Sequence, residues 1–144
     1  MEVLWQCGKY YKAGIDAFMQ GRQLPNIKYS DFIGRMDLAY ALSDVVISRS
    51  GASSISEICT IGKASVLVPS PNVAEDHQTH NAMALVRKDA ALIVKDAEAV
   101  EKLLPTTLEL LADQKKIETI EQNVLKLALP DAAQTIADEA YKLI

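Results

Sequence analysis

Val45-Val46-Ile47-Ser48-Arg49-Ser50-Gly51-Ala52-Ser53-Ser54-Ile55-Ser56-Glu57-Ile58 decides how this chain folds. An apolar, β-branched run enters a short Gly/Ser turn, and the turn enters a segment with helical periodicity. A strand–turn–helix junction of this kind lies at the carboxyl edge of an α/β sheet, where ligands bind. The N–H groups at the start of the helix, with the positive end of its dipole, suit an anion such as a diphosphate. Glu57, one turn in, is suited to accept hydrogen bonds from a ribose diol. Two plainer readings stand beside these. Ser54-x-x-Glu57 has capping-box spacing, in which the Glu folds back onto its own helix start. Arg49 has the alternative of a solvated or ion-paired side chain.

The 144 residues, 49% hydrophobic and 24% charged, match one globular domain with a buried core. A net charge of −4 argues against a nucleic-acid surface, which would carry a basic stripe. No apolar run approaches the roughly 20 residues that span a bilayer. The opening Met1-Glu2-Val3-Leu4-Trp5 reads as the beginning of a strand and not as a secretory leader. Cys7 and Cys59 lie far apart in apolar segments, without metal spacing, and read as two buried thiols in a reducing compartment.

Working outward from the junction, short apolar runs alternate with helical stretches. Strands are expected at Val3–Cys7, Ile27–Tyr29, Asp44–Ser48, Ser65–Val68 and Ala90–Val94. Helices are expected from Lys9 to Met19, and from Met36 to Leu42 with Met36, Ala39, Tyr40 and Leu42 on one face. Two more run from Ser53 to a C′ glycine at Gly62, and from His77 to about Lys88 behind an Asp76 N-cap. The remainder is helical. Val100, Leu103, Leu104, Leu108 and Leu111 keep 3.6-residue spacing, with Pro105 a kink or a fresh start. Ile117, Ile120, Val124 and Leu127 continue it, and Ala133, Ile136, Ala137, Ala140, Tyr141 and Ile144 mark a last amphipathic helix after Pro130. The alternation predicts a parallel sheet with helices on both faces, as one domain over residues 1–144. An exposed edge strand near residues 3–7 is a site for self-association.

Two other clusters fall just past expected strand ends. Asn72 to Asn81 contains His77 and Gln78 at a helix start, able to donate to sugar hydroxyls, or simply to face water while Asp76 caps. His77 and His80 with Glu75 or Asp76 make a poor metal site, since catalytic zinc needs three firm ligands and support around them. Phe32-Ile33 is an apolar loop pair that can hold a flat base, its backbone reading the base edge, or can be ordinary core. No nucleophile–base arrangement and no carboxylate pair presents itself for catalysis.

Residues 45–52 followed by Ser56-Glu57-Ile58 resemble the donor-binding motif of the MurG family of glycosyltransferases. So, in order, do Trp5-Gln6 with Gly8-Lys9-Tyr10, Phe32-Ile33 with Met36, Val68-Pro69, Gln78 with Asn81-Ala82, and Leu129-Pro130-Asp131-Ala132. The resemblance covers nearly the whole chain. It implies the carboxyl-terminal half of a two-domain GT-B architecture, a Rossmann-like sheet ending in several helices. It also implies transfer of N-acetylglucosamine from UDP-GlcNAc to a lipid-linked muramoyl-pentapeptide in peptidoglycan synthesis, at the cytoplasmic face of the bacterial inner membrane. By resemblance Glu57 binds the ribose hydroxyls, and Ile33 reads the uracil through its backbone. Phe32 and Met36 line the nucleotide pocket, with Arg49 and the Ser50-Gly51 turn nearby, and Gln78 and His77 bind the sugar. No cofactor and no metal is implied.

The family's glycine-rich loop and its amino-terminal, acceptor-binding domain have no counterpart in these residues. The expectation is therefore an excised domain or a fragmentary gene product that does not turn over alone. Two alternatives remain. One is a different UDP-sugar GT-B transferase or an epimerase-like protein, which shares a Ser-Gly turn with a downstream Glu. The other is a non-catalytic UDP-sugar-binding subunit that works with a partner chain.

Overall fold

A computed structural model describes residues 1–143; Ile144, assigned by periodicity to the last helix, lies outside the described residues. The fold gathers into two compact units, Met1–Ser43 and Asp44–Ile144.

The first unit is a βαβ unit followed by a short helix: β1 (Val3–Gln6), α1 (Lys9–Met19), β2 (Ile27–Ser30) and α2 (Met36–Leu42). The strands are parallel, with Val3 opposite Ile27 and Gln6 opposite Ser30. The Val3 N–H donates to Asn26 O at 2.8 Å and the Cys7 N–H to Ser30 O at 2.9 Å. Peptide direction alternates along a strand, so the N–H groups of Leu4 and Gln6 point to the other edge of β1. Among the described residues that edge has no strand partner. Leu4 and Trp5 are 55% and 43% exposed, an apolar edge strand without the charges that usually guard one. In α2, Met36, Ala39 and Tyr40 are half-buried but Leu42 is exposed. The i, i+3, i+4 face runs on to Ser43, so Leu42 falls off it.

The second unit holds β3 (Val46–Ser48), α3 (Ala52–Ile61), β4 (Ser65–Leu67), α4 (His77–Val86), β5 (Leu92–Ile93), α5 (Ala99–Ala112), α6 (Gln114–Leu125) and α7 (Ala132–Tyr141). Its parallel sheet has the order β3-β4-β5. The central strand is apolar on both sides, and its alternation sorts the core. Leu67 packs with Ile58 and Cys59 of α3, Ala82 and Leu85 of α4, and Val124 of α6. Val66 packs with Leu110 of α5 and with Ile117 and Ile120 of α6. Helices therefore cover both faces, as the alternation of strands and helices predicts. β1, β3, β4 and β5 are shorter than the expected runs, although Cys7, Val68 and Val94, just past the ends of β1, β4 and β5, still donate to the neighbouring strand, at 2.9, 2.8 and 2.9 Å, while β2 extends one residue further, to Ser30.

Several helices differ from expectation in detail. α5 runs through Pro105 without ending there. Its buried residues are Thr107 and Leu110, with Ala99 and Leu103 partly buried beside them, while Val100, Leu104 and Leu108 are exposed. α6 begins behind Asp113, whose carboxylate accepts the Lys116 N–H at 3.0 Å. α7 forms, but its apolar residues stay uncovered, with Ile136 70% and Tyr141 75% exposed. Both cysteines are buried free thiols. Burial pushes the Cys59 thiol up from its ordinary range.

Candidate functional site

In the second unit the loops after β3, β4 and β5 all leave from the carboxyl edge of the sheet, and a hydrogen-bonded network ties them together. Arg49 follows β3. Its Nη1 donates to Val68 O at 3.2 Å and Pro69 O at 3.3 Å, just past β4, and pairs with the Asp96 carboxylate beyond β5. One guanidinium nitrogen thus holds three loops. The ion-paired reading of Arg49 is the one observed, and about half of the side chain is still exposed.

Ser50 is fully buried. Its Oγ donates to the Gln78 carbonyl at 2.8 Å, and its own carbonyl accepts from Asn81 Nδ2 at 3.1 Å. Gln78 Oε1 in turn accepts the Ser70 N–H at 2.9 Å. The turn after β3, the loop after β4 and the first turn of α4 are therefore one polar assembly. A buried hydroxyl needs such partners, since leaving it unpaired costs about 1–3 kcal/mol.

Gly51 is the N-cap of α3, with extended backbone at φ −63° and ψ 153°. Ile55 N–H donates to its carbonyl at 3.0 Å, the first bond of the helix. Ser54 therefore sits inside α3, and Ser54-x-x-Glu57 is not a capping box, because the cap position is already filled. The spacing matched; the register did not. A Cβ placed on Gly51 would meet nothing within 4 Å, so the helix start stays open to an approaching group. Glu57 is exposed on the second turn of α3.

At α4, Asp76 does stand at the N-cap, but in left-handed backbone with φ 50°, and its side chain makes no cap bond. Its Oδ1 instead accepts the Thr79 hydroxyl at 2.7 Å. Glu75 is also left-handed, φ 52°, two successive non-glycine residues in a conformation that costs about 1–2 kcal/mol per residue. His77 is exposed at the first helical position, beside half-buried Gln78. Among the described residues no group of three His, Cys, Asp or Glu side chains is placed to hold a metal ion.

In the first unit the loop after β2 carries exposed Phe32, with half-buried Ile33 and Met36. Ser30 Oγ donates to Phe32 O at 3.1 Å, and the Ile33 N–H donates to Gln6 Oε1 at 2.8 Å. The strand ends thus shape the loop, as at the other site. The structure brings Arg49, Ser50, Gly51, His77 and Gln78 to one edge of the second unit. Phe32 and Ile33 lie in the first unit on the loop after β2, and Met36 at the start of α2. Sequence reading missed the supporting roles of Gln6, Ser70, Asn81 and Asp96. For Asp96 a signal existed: it follows the fifth strand at the same carboxyl edge.

A parallel α/β chain with its polar network at the carboxyl ends of the strands has the Rossmann-like architecture in which ligands bind at that edge. It belongs to the glycosyltransferase family 28 C-terminal domain family, whose sequence profile it matches over residues 1–136. It is 54% identical over 144 residues to the UDP-N-acetylglucosamine–N-acetylmuramyl-(pentapeptide) pyrophosphoryl-undecaprenol N-acetylglucosamine transferase of Bacteroides thetaiotaomicron, covering 99% of this chain and 39% of that protein. The protein of the same name from Parabacteroides distasonis is 49% identical, over 100% of this chain and 39% of its own. The crystal structure of Acinetobacter baumannii MurG superposes with a TM-score of 0.85 at 29% identity, covering 99% of this chain and 41% of that one. The family resemblance read from the motifs is thereby shown. The chain spans about two fifths of the length of the curated relatives it matches.

Proposed function

We propose that these residues, acting as one domain, are the donor-binding part of an inverting N-acetylglucosaminyltransferase. The enzyme moves GlcNAc from UDP-GlcNAc to undecaprenyl-pyrophosphoryl-MurNAc-pentapeptide. The observation that carries the reading is the Ser50–Gln78–Ser70 assembly, which sets an open helix start beside an oriented amide at the carboxyl edge of the sheet. The names of the relatives supply the substrate class.

In this reading the diphosphate lies against Ser50-Gly51 and the start of α3, with the Arg49 charge close by. Glu57 accepts from the ribose hydroxyls, and His77 and Gln78 meet the sugar. Phe32 and Met36 flank the uracil. The Ile33 N–H is taken by Gln6, so its carbonyl is the group offered to the base N3–H. A base elsewhere in the longer protein takes the acceptor C4 hydroxyl proton. The oxygen then attacks the sugar C1 with inversion, and the electron pair of the broken C1–O bond leaves on UDP. The acceptor is held by the part of the longer protein outside these residues, at the membrane surface. The open edge of β1 serves self-association when nothing else covers it.

An NMR titration of the 144-residue chain tests the donor site. Millimolar binding, about −4 kcal/mol, is within its reach. UDP-GlcNAc is expected to shift the amides of Ile33, Ser50, Glu57 and Gln78, with UDP-glucose and GDP-mannose shifting them less. An equal response to GDP-mannose overturns the nucleotide assignment. Silence in a folded sample of the longer polypeptide overturns the site.

A further inference from the structure

We infer that Gln6 is a specificity-determining residue, whose side-chain NH2 group donates to a ring carbonyl of the nucleotide base, next to the base N–H that the Ile33 carbonyl accepts. This rests on the donor-site reading above and extends it from the backbone of a loop to a side chain of β1. The inference starts from one peptide unit. Gln6 and Ser30 stand opposite each other at the ends of β1 and β2. Between them they hold both polar atoms of the Phe32–Ile33 peptide. Ser30 Oγ donates to Phe32 O at 3.1 Å, and Gln6 Oε1 accepts the Ile33 N–H at 2.8 Å. The plane of that peptide is fixed, and with it the direction in which the chain enters Ile33.

The same bond fixes Gln6. A carboxamide has one acceptor and two donors, and a partner decides which end is which. The Ile33 N–H can only donate, so the atom 2.8 Å from it is the oxygen. Nε2, on the same carbon, is left with two N–H donors on an exposed side chain. The loop therefore offers a base one donor, Gln6 Nε2, and one acceptor, the Ile33 carbonyl, alongside the exposed ring of Phe32. Uracil carries the complement, a ring C=O beside N3–H. Cytosine carries the reverse, an amino group beside a bare ring nitrogen, and would set donor against donor and acceptor against acceptor. Guanine shares the uracil-like edge, so CDP is the comparison that isolates this pair.

Gln6→Glu separates the two tasks of the side chain. A carboxylate still accepts the Ile33 N–H, but its second oxygen accepts where Nε2 donated. The added charge acts alike on any nucleoside diphosphate, so the readout is the ratio of Kd for CDP to Kd for UDP. Wild type is expected to prefer UDP about tenfold, as a two-bond base contact does. Gln6→Glu is expected to lower that ratio about fivefold, the equivalent of one hydrogen bond, while Ile33 amide exchange stays near wild type. An unchanged ratio overturns the inference and leaves the donor site standing.

If Gln6→Glu frees the Ile33 amide or fails to fold, the unmodified protein decides. The side-chain NH2 resonances of Gln6 are expected to shift as UDP saturates the site, and to shift less with CDP. Resonances unmoved by saturating UDP overturn the inference. The titrations use the 144-residue chain, and the longer polypeptide where the shorter one binds too weakly to saturate. If neither binds UDP, the donor-site reading fails and this inference with it.

Discussion

The side-chain oxygen of Gln6 accepts the backbone N–H of Ile33 at 2.8 Å, fastening the loop after β2 to the end of β1. Gln6→Leu removes the acceptor, whereas Gln6→Glu keeps one. Ile33 amide exchange is expected to rise about fivefold in the Leu variant and to stay near wild type in the Glu variant, in line with one hydrogen bond of about 1 kcal/mol. On the proposed donor-site reading UDP binding should weaken with Leu, because the Ile33 carbonyl offered to the base loses its fixed direction. Tighter binding by Gln6→Leu would show that the freed N–H is the group the base wants.

Arg49 and Asp96 are predicted to contribute unequally. Their ion pair is partly exposed, with side-chain exposures of 54% and 35%, and such pairs contribute about 0–1 kcal/mol. Arg49 also serves the Val68 and Pro69 carbonyls. Urea denaturation should therefore find Asp96→Ala costing less than about 1 kcal/mol and Arg49→Met about 1–2 kcal/mol, since charged hydrogen bonds are lost as well. Equal losses would mean that the carbonyl contacts add nothing.

Gly62 closes α3 in left-handed backbone at φ 68°, and a Cβ there would lie 2.5 Å from Leu125 Cγ. Gly62→Ala combines the left-handed penalty, about 1–2 kcal/mol, with that overlap. The double variant Gly62→Ala with Leu125→Ala should recover the overlap and keep the backbone cost. A double-mutant cycle in thermal or urea denaturation reads the coupling directly. Strict additivity of the two changes would refute the contact.

On the first unit, Lys12 Nζ lies 2.6 Å from Asp16 Oδ1, which also accepts the Tyr29 hydroxyl at 2.9 Å. The hydrogen bonds from Lys12 and then Tyr29 hold the Asp16 carboxyl below the ordinary carboxylate range, and the same contact raises Lys12. A carboxyl depressed in the folded state stabilises above its unfolded pKa, and the benefit disappears as pH falls through the folded one. The Asp16 carbon resonance should titrate below a free aspartate and move back upward in Lys12→Met, and by less in Tyr29→Phe. A midpoint unmoved in Lys12→Met would remove the ion pair as the cause.

The two sides of β1 make opposite demands on proline. The Leu4 N–H faces the open edge and the Trp5 N–H faces β2. Leu4→Pro should fold and, by removing an edge donor, reduce self-association in light scattering. Trp5→Pro removes a ladder donor and leaves its acceptor on β2 unpaired, and should cost about 1–3 kcal/mol. If both variants unfold alike, the register of β1 on β2 is other than described.

Local signals carried much of this fold. The apolar run Ser65–Val68 places a strand because it is covered on both faces, whereas in Val45–Ile47 only Val45 and Val46 pack, one against each cluster, and Ile47 is 50% exposed; Gly62 ends α3 because few other residues adopt its backbone. Signals that depend on register did worse. Ser54 and Glu57 have the spacing of a cap, yet the helix begins at Ala52, where the strand delivers the chain. Leucines in α5 outnumber the buried positions, so their spacing alone could not say which of them face the sheet. The polar network was out of reach, since Ser50 meets Gln78 and Asn81 across 28 and 31 residues and Arg49 meets Asp96 across 47. Family resemblance named several of these residues; geometry says which atoms they use.

Val68, Pro69 and Ser70 are consecutive. The first two carbonyls hold the Arg49 guanidinium, and the next N–H holds the Gln78 amide. A ligand that draws on the cation at one end and the amide at the other therefore strains a single short segment of backbone. Phosphate and sugar would not be felt as separate additive contacts: engaging one end stiffens the grip on the other. On the proposed donor-site reading, the loop after β4 couples the two contacts within one molecule, and a nucleotide stripped of its sugar would sense only part of that stiffness.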